Sequence, residues 1–341
     1  MKRVQHVHPF RELHHIEYAI RAVRTHAQLE DTGPDRRLNL PQSRMSSIRQ
    51  PTTFRQRVGV PLRLKAGMRP YLVVLALLCS WLAATEAPAQ VPALPNGAQT
   101  QWVVRQPHEI IAYVTFDPVT VGRQLPQSLR FLTVSELATG GVRWATDYLA
   151  EHPAHGHWGI SFLEIVRMGT FTIDGRAPNW PEHGAAALWF ARIAPSDPAT
   201  DLGPGQPFLA LEFWMPDSAY VAYMRGKGHH ATYGDVTLIQ RSDGNWRGAV
   251  SVAGLRVAAE CMPTGAVTGG VGSAGMQVFF PPLLSTVQNI VRVAFAGHRE
   301  QECGSGSVWS LQGTHPLVGG VVLRPSTLQY GYDLMGGAYP W

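Results

Sequence analysis

The chain has 341 residues and a formal net charge of +5, from 29 lysine and arginine against 24 aspartate and glutamate side chains. Residues 1–89 hold 14 of the basic and 6 of the acidic side chains, which leaves 15 basic and 18 acidic side chains, a net charge of −3, for residues 90–341. Nucleic-acid binding by this larger part therefore loses its main electrostatic support. About 250 residues can bury a sizeable core, as one β domain or two smaller domains.

The end of the basic segment has the features of a secretory leader. A short charged start at Met68 is followed by the uncharged apolar run Tyr71–Ala84 of 14 residues, fewer than the roughly 20 that a membrane-spanning helix needs. Ala87-Pro-Ala89 fits the small-residue cleavage pattern of signal peptides. We therefore predict a signal peptide at 68–89 and export to the periplasm or the cell exterior, an uncleaved anchor being the alternative.

Residues 1–67 are rich in arginine and histidine and have few apolar clusters, a composition that predicts disorder. They would place the signal peptide inside the chain. We interpret them as a leader that results from a mis-assigned start, with synthesis beginning at Met68. A basic interaction tail is the alternative.

Cleavage of the leader would leave two cysteines, Cys261 and Cys303. An even pair in an oxidising compartment predicts a disulfide. Two unpaired buried thiols are the alternative.

Strand composition begins at Glu109–Phe116, and Asp117-Pro118 after it predicts the N-cap and first residue of a short helix. His157–Met168 predicts a second strand, interrupted by Glu164. A carboxylate in an apolar strand is costly to bury without a partner. Glu164 therefore either marks a functional site or lies on a solvent-facing side of the strand.

Three histidines, His152, His155 and His157, lie within six residues before this strand. Such a group could ligate zinc or copper, but its spacing fits no helical pair or closed zinc pattern. The neighbouring proline and glycine favour a solvated loop. We therefore predict no metal site.

The segment Thr172–Pro207 is rich in proline and glycine and is predicted to form strands joined by long loops, around the apolar run Ala185–Ile193. Strand-like runs follow at Phe208–Trp214, Val236–Gln240 and Gly248–Cys261. They are separated by turn sequences, and the Asp-Gly dipeptide between the second and third predicts a hairpin.

Between the first two of these runs lies the segment Arg225–His230, predicted to be flexible at its glycines. The glycine-rich segment Met262–Gly275 is predicted to be a loop that could cover a cavity mouth. Further strands are predicted at Val287–Phe295 and Val308–Gln312.

Three segments share a family resemblance. Gly248–Met262, with Gly254-Leu-Arg-Val-Ala258 at its centre, forms a strand pair; Tyr113–Leu129 has a strand, an acidic-capped helix and a Pro-x-x-Leu exit; His315–Tyr330 is a closing segment. Together they resemble the acetoacetate decarboxylase family. The resemblance implies a mainly β fold, a β-rich α+β arrangement with a closed or partly open barrel, a central cavity and a few short helices. Frequent glycine and proline turns agree with it.

The sequence departs from the family at two cations. Where the family has its Schiff-base lysine, this chain has approximately His229–His230, and the nearest amine is Lys227, the one lysine of residues 90–341. The family's arginine in its first strand is replaced by Val114. Schiff-base chemistry needs an amine whose pKa is lowered, which Arg225 could assist.

The candidate catalytic residues are therefore Glu164, Lys227, His229 and His230, with Arg225 as a candidate for substrate binding. The histidines could serve as general acids or bases, or could lie in a polar turn. The resemblance implies no cofactor. Residues 90–341 are predicted to form one barrel domain, with no nucleic acid as partner and no membrane contact after cleavage; a homo-oligomer is an open alternative.

Two functions follow as hypotheses. One is a carboxy-lyase-like enzyme with altered chemistry that acts on a small keto acid or related carbonyl compound. The other is a noncatalytic secreted barrel that binds a small apolar ligand. The missing cations favour altered chemistry or none, whereas Glu164 favours a site.

N-terminal sequencing of the exported protein tests the leader. We expect the chain to begin at Gln90, because the cleavage pattern follows an apolar run too short to span a bilayer. An exported chain that begins at Met1 would contradict this interpretation.

Overall fold

The structure, a computed structural model, describes residues 98, 100–122, 125, 127–199, 202, 206–269, 273–280, 289–323 and 326–340. The predictions for residues 1–67 and for the signal peptide at 68–89 lie outside the described residues. The extent of one domain over 90–341 stays a prediction. Within the described part of the chain, no helix is long and apolar enough to cross a membrane.

The protein is mainly β, as predicted. Its strands are β1 (Thr100–Arg105), β2 (His108–Phe116), β3 (Leu129–Phe131), β4 (Gly159–Arg167), β5 (Thr170–Ile173), β6 (Ala186–Pro195), β7 (Gln206–Met215), β8 (Thr232–Tyr233), β9 (Asp235–Gln240), β10 (Trp246–Val252), β11 (Leu255–Cys261), β12 (Pro263–Gly269), β13 (Ser273–Phe280), β14 (Asn289–Ala296), β15 (Arg299–Cys303), β16 (Val308–Gly313), β17 (Val321–Val322), β18 (Ser326–Tyr330) and β19 (Asp333–Pro340).

The helices are few and short: α1 (Pro118–Val121), α2 (Val134–Thr139), α3 (Arg143–Glu151) and α4 (Ser218–Gly226), with 3₁₀ turns at Pro153–His155 and Pro316–Gly319. Asp117 caps α1 by accepting from the Val119 backbone N–H, with Pro118 as the first helical residue. This is the arrangement that the Asp-Pro pair predicts.

The described strands form two sheets. The large sheet has the order β12-β15-β18-β2-β4-β6-β7-β13-β14-β19-β1-β5, with β17, β3 and β8 paired beside β2, β6 and β7. The small sheet has the order β16-β11-β10-β9. Its β9–β10 hairpin turns at Asp243-Gly244, where glycine has a φ of 85°. The Asp-Gly prediction is confirmed, because this left-handed conformation favours glycine.

The two faces of the large sheet have different roles. One face packs against the small sheet, where Ile110 and Leu163 of the large sheet share a core with Val257 of the small sheet. The other face carries aromatic side chains such as Phe162 and Phe208. Because both faces are covered, β2 is buried at every residue except its first, which explains the continuous apolar runs of the sequence.

The large sheet curls, so that strands distant in its order approach one another. Trp102 of β1 lies against Phe213 of β7, with ring centroids 6.2 Å apart. β5, which ends the strand order beside β1, follows directly on β4 through Met168-Gly169. The aromatic face is therefore on the concave side.

One local prediction is wrong. The segment 262–275 is predicted to be a loop, but it contains β12 and the start of β13, because β12 pairs with β15 beyond the disulfide.

The segment 225–230 connects two strands, as predicted, and its flexibility stays a prediction. Its first two residues end α4, a helix that the sequence analysis did not predict and that begins where Asp217 accepts from the Tyr220 backbone N–H.

Cys261 and Cys303 form a disulfide, as predicted. It joins the end of β11 in the small sheet to the end of β15 in the large sheet, and both cysteines are buried. The bond therefore links the two sheets covalently.

Removing the disulfide tests this link. Cys261→Ala with Cys303→Ala should lower the free energy of unfolding by up to about 4 kcal/mol, the loop-closure value for a separation of this length. Denaturant titration measures the change. Peptide mapping after thiol labelling of the unreduced, unfolded wild type should find neither residue labelled; labelling of both would contradict the pairing.

Candidate functional site

The concave face of the large sheet lines a pocket of about 140 Å³. A cavity of about this volume in another protein holds one benzene-sized molecule. The lining is mostly apolar and includes the aromatic residues Trp102, Tyr113, Phe162, Phe171, Phe190, Phe208, Phe213 and Tyr332. The pocket therefore fits a small ligand with an apolar body.

Two carboxyl groups, those of Glu109 and Glu164, face this apolar space. In the β2–β4 pairing, Glu109 lies opposite Val166 and Glu164 lies opposite Ile111, so the two glutamates are diagonal neighbours on one face. Their side chains are hydrogen-bonded to each other, and the Tyr332 phenol donates a hydrogen bond to Glu109. A hydrogen bond between two carboxyl groups requires that one of them carries a proton.

The surroundings favour the protonated form of both groups. Burial raises the pKa of Glu109 well above its ordinary value, and the neighbouring charge of Glu164 raises it further. Burial also raises the pKa of Glu164. Neighbouring carboxyl groups with raised pKa values in an apolar pocket are candidates for proton transfer.

No lysine, arginine or histidine is among the described residues that line this pocket. The Arg192 guanidinium lies behind the lining: it donates to the Gln206 side chain at 2.6 Å and stacks over Phe208 with its central carbon 4.8 Å from the ring centre. Both of these partners line the pocket, and the charge of Arg192 also acts on the Tyr113 hydroxyl of the lining.

Lys227 and Arg225 do not line the pocket. The Lys227 ammonium lies 2.8 Å from the Asp174 carboxylate. A hydrogen bond and the charge of Asp174 raise the pKa of Lys227, the opposite of what a Schiff-base amine needs. Arg225 donates from Nε to the Ala231 carbonyl at 2.6 Å. The catalytic role of Lys227 and the binding role of Arg225 stay predictions.

The two histidines are buried, but neither lines the pocket. His229 lies behind Trp102: its Nε2 is 3.3 Å from the indole nitrogen, which donates to it. Burial lowers the pKa of His229 to about 4, so it is neutral at ordinary pH and can accept this bond. His230 Nε2 lies 3.2 Å from the Glu212 carboxylate. Their catalytic roles also stay predictions.

The structure thus brings Glu164 into the pocket and adds Glu109, which sequence analysis took only as the start of a strand. The pattern that could have revealed it is a glutamate in each of two neighbouring apolar strands. Tyr332 was missed as well. It follows β18 in the sequence, and it lies near the two glutamates only because β18 pairs with β2 in the sheet.

The histidine segment forms a stacked group. His155 stacks on Trp158 at 3.6 Å between ring centres, and its Nδ1 lies 2.7 Å from the Tyr148 hydroxyl. Among the described residues, no cluster of three or more histidine, cysteine, aspartate or glutamate side chains could hold a metal ion. His155 is therefore explained by its packing against Trp158 and its hydrogen bond with Tyr148.

Comparison with known proteins gives a distant likeness of fold. No family model matches the chain, and no curated protein matches it. Among solved structures, it is similar to an acetoacetate decarboxylase-like enzyme from Sphingomonas wittichii RW1, at 13% identity over 76% of this chain and 98% of that chain, with a TM-score of 0.43. It is also similar to acetoacetate decarboxylase from Legionella pneumophila, at 11% identity over 76% and 94% of the two chains, with a TM-score of 0.44.

A third similar structure is the enduracididine biosynthesis enzyme MppR complexed with pyruvate, at 12% identity over 72% of this chain and 91% of that chain, with a TM-score of 0.42. We draw nothing about the site or the activity of this chain from likenesses at this level. The candidate site depends on the geometry of the pocket alone.

Borohydride treatment in the presence of acetoacetate or pyruvate tests the lysine. We expect no covalent adduct, because Lys227 lies outside the pocket and its pKa is raised. Mass spectrometry should find no increase in mass after reduction, either in wild type or in Lys227→Arg, which keeps the charge but cannot form the imine. An adduct on wild-type Lys227 that the variant lacks would restore the Schiff-base mechanism.

Proposed function

We propose that this protein is an enzyme that transfers a proton at the carbon next to the carbonyl group of a small, uncharged, mostly apolar compound. The observation that carries this proposal is the hydrogen-bonded Glu109–Glu164 pair in an apolar pocket. The proposal needs an enolate and no amine, so it does not depend on Lys227. The barrel-like fold with a central cavity is part of the proposal, and the curl of the large sheet supports it.

The two carboxyl groups take different roles. Glu109 is almost fully buried, and its pKa is raised by burial first and then by the charge of Glu164. It keeps its proton and donates a hydrogen bond to the carbonyl oxygen. Glu164 retains some exposure to the pocket and acts as the base. It takes the proton from the carbon, and the electron pair moves to the oxygen as the enolate forms. The proton on Glu164 exchanges with solvent, and Glu164 then delivers a solvent-derived proton to the carbon.

An uncharged substrate fits this site better than a keto acid. A keto acid would bring a charged carboxylate into an apolar pocket whose described lining holds no cation, and an unpaired buried carboxylate is costly. Decarboxylation of a keto acid is therefore the less favoured branch of the same chemistry.

The disulfide supports an extracytoplasmic location, because such bonds persist in oxidising compartments. We propose export on this basis together with the predicted leader.

Exchange of α-hydrogen for deuterium tests the function. Wild-type protein should accelerate the exchange of acetone and cyclohexanone in ²H₂O, followed by proton NMR. Glu164→Gln should lower the rate about a hundredfold or more, because general acid–base catalysis contributes about 10²–10⁴-fold. The rate should rise with pH as Glu164 ionises and fall as Glu109 loses its proton, both above the range of ordinary carboxyl groups.

Glu151→Gln is the matched control, since Glu151 is exposed at the end of α3, and its exchange rate should equal that of wild type. Exchange by wild type no faster than by buffer would refute the enzyme and leave the binding of a small apolar ligand as the function of the pocket.

A further inference from the structure

We infer that the pocket binds small lipophilic organic cations, and that each bound cation displaces the proton held between Glu109 and Glu164. This inference uses the same carboxyl pair as the proposed function but needs no carbonyl chemistry. The ligand class is a primary or substituted ammonium group on an apolar body of about benzene size. Such a ligand would occupy the space of the proposed carbonyl substrate and compete with it.

The charges around the pocket favour a cation. Glu109 and Glu164 line it, and Glu300 is near enough for its charge to raise the pKa of Glu109. Glu300 is directly opposite Gln329 on β18, and Gln329 is directly opposite Glu109 on β2. The carboxyl groups thus lie along one face of the sheet, while the described lining contains no basic side chain.

The aromatic walls provide a second, independent attraction. The negative potential over the face of an aromatic ring attracts ammonium groups, most strongly where water is excluded. The rings are held by one another: Phe162 meets Phe190 and Phe208 edge to face, each at 5.1 Å between centroids, and Trp102 meets Phe171 at 5.8 Å. A cation would therefore enter a preformed aromatic site.

Proton release follows from the state of the empty pocket. With no cation bound, burial favours the protonated carboxyl pair. An ammonium group supplies the positive charge itself and favours the ionised pair, so binding expels a proton. Affinity for a cation should then rise as the pH rises, whereas affinity for an uncharged ligand of the same shape should not.

Three ligands with one ring and different charges test this inference: cyclohexylammonium, cyclohexanone and cyclohexanecarboxylate. Isothermal titration calorimetry should give a dissociation constant for the ammonium about tenfold or more lower than for the carboxylate, because one charge meets its opposite and the other its like. Titration in buffers of different ionisation enthalpy should show release of up to about one proton per ammonium bound, and none for cyclohexanone.

The variants Glu109→Gln and Glu164→Gln, each checked for folding by circular dichroism, should lose most of the proton release and of the preference for the ammonium. Glu151→Gln should keep both. If neither pocket variant folds, the test uses wild type alone. The ammonium should then compete with cyclohexanone for the pocket, and the number of protons released per bound ammonium should vary with pH. Ammonium binding no tighter than carboxylate binding, or binding without proton release, would overturn the inference.

The two proposals fail separately. Ammonium binding with proton release but without deuterium exchange would remove the proposed enzyme and leave the cation site. Exchange that the ammonium does not inhibit would remove the cation site and leave the enzyme.

Discussion

Burial of the large sheet on both faces is the constraint on which the rest of the structure depends. The small sheet covers one face, and a cluster of apolar and aromatic side chains packs on the other. Nearly every position of β2 and β4 must therefore be compatible with an apolar environment. Within that constraint, Glu109 and Glu164 are exceptions that the remaining structure has to accommodate, through the hydrogen bond between them and the one from Tyr332.

Burying these two carboxyl groups lowers the free energy of unfolding at neutral pH. A carboxyl group whose pKa in the folded state lies above its value in the unfolded state contributes stability that is fully present below the unfolded pKa and is lost as the pH rises through the folded pKa. Burial places both glutamates in this class. An apolar pair of similar size would avoid the loss, so the retention of two ionisable groups on adjacent strands is better explained by chemistry in the pocket than by stability.

Local chemistry made several features predictable from the sequence: the Asp117-Pro118 helix start, the Asp243-Gly244 hairpin, the pairing of Cys261 with Cys303, and Glu164 as an anomaly in an apolar strand. The rest depends on partners distant in sequence. Glu109 becomes a candidate site residue only because β2 pairs with β4, which places it beside Glu164. β12 and β13 form where a loop is predicted because they pair with later strands, and Asp217, in the turn sequence after Trp214, caps a helix.

The histidines illustrate how position changes the meaning of a residue type. A histidine near the expected place of a family lysine suggests acid–base chemistry, but His229 lies behind the pocket wall and holds the indole of Trp102. Its lowered pKa keeps it neutral at ordinary pH, which suits an acceptor of this bond, and a catalytic role for it stays a prediction. Loss of its side chain would alter the shape of the pocket wall, whereas the two glutamates line the pocket directly. Substitution of the carboxyl pair therefore distinguishes catalysis from packing, and substitution of His229 does not.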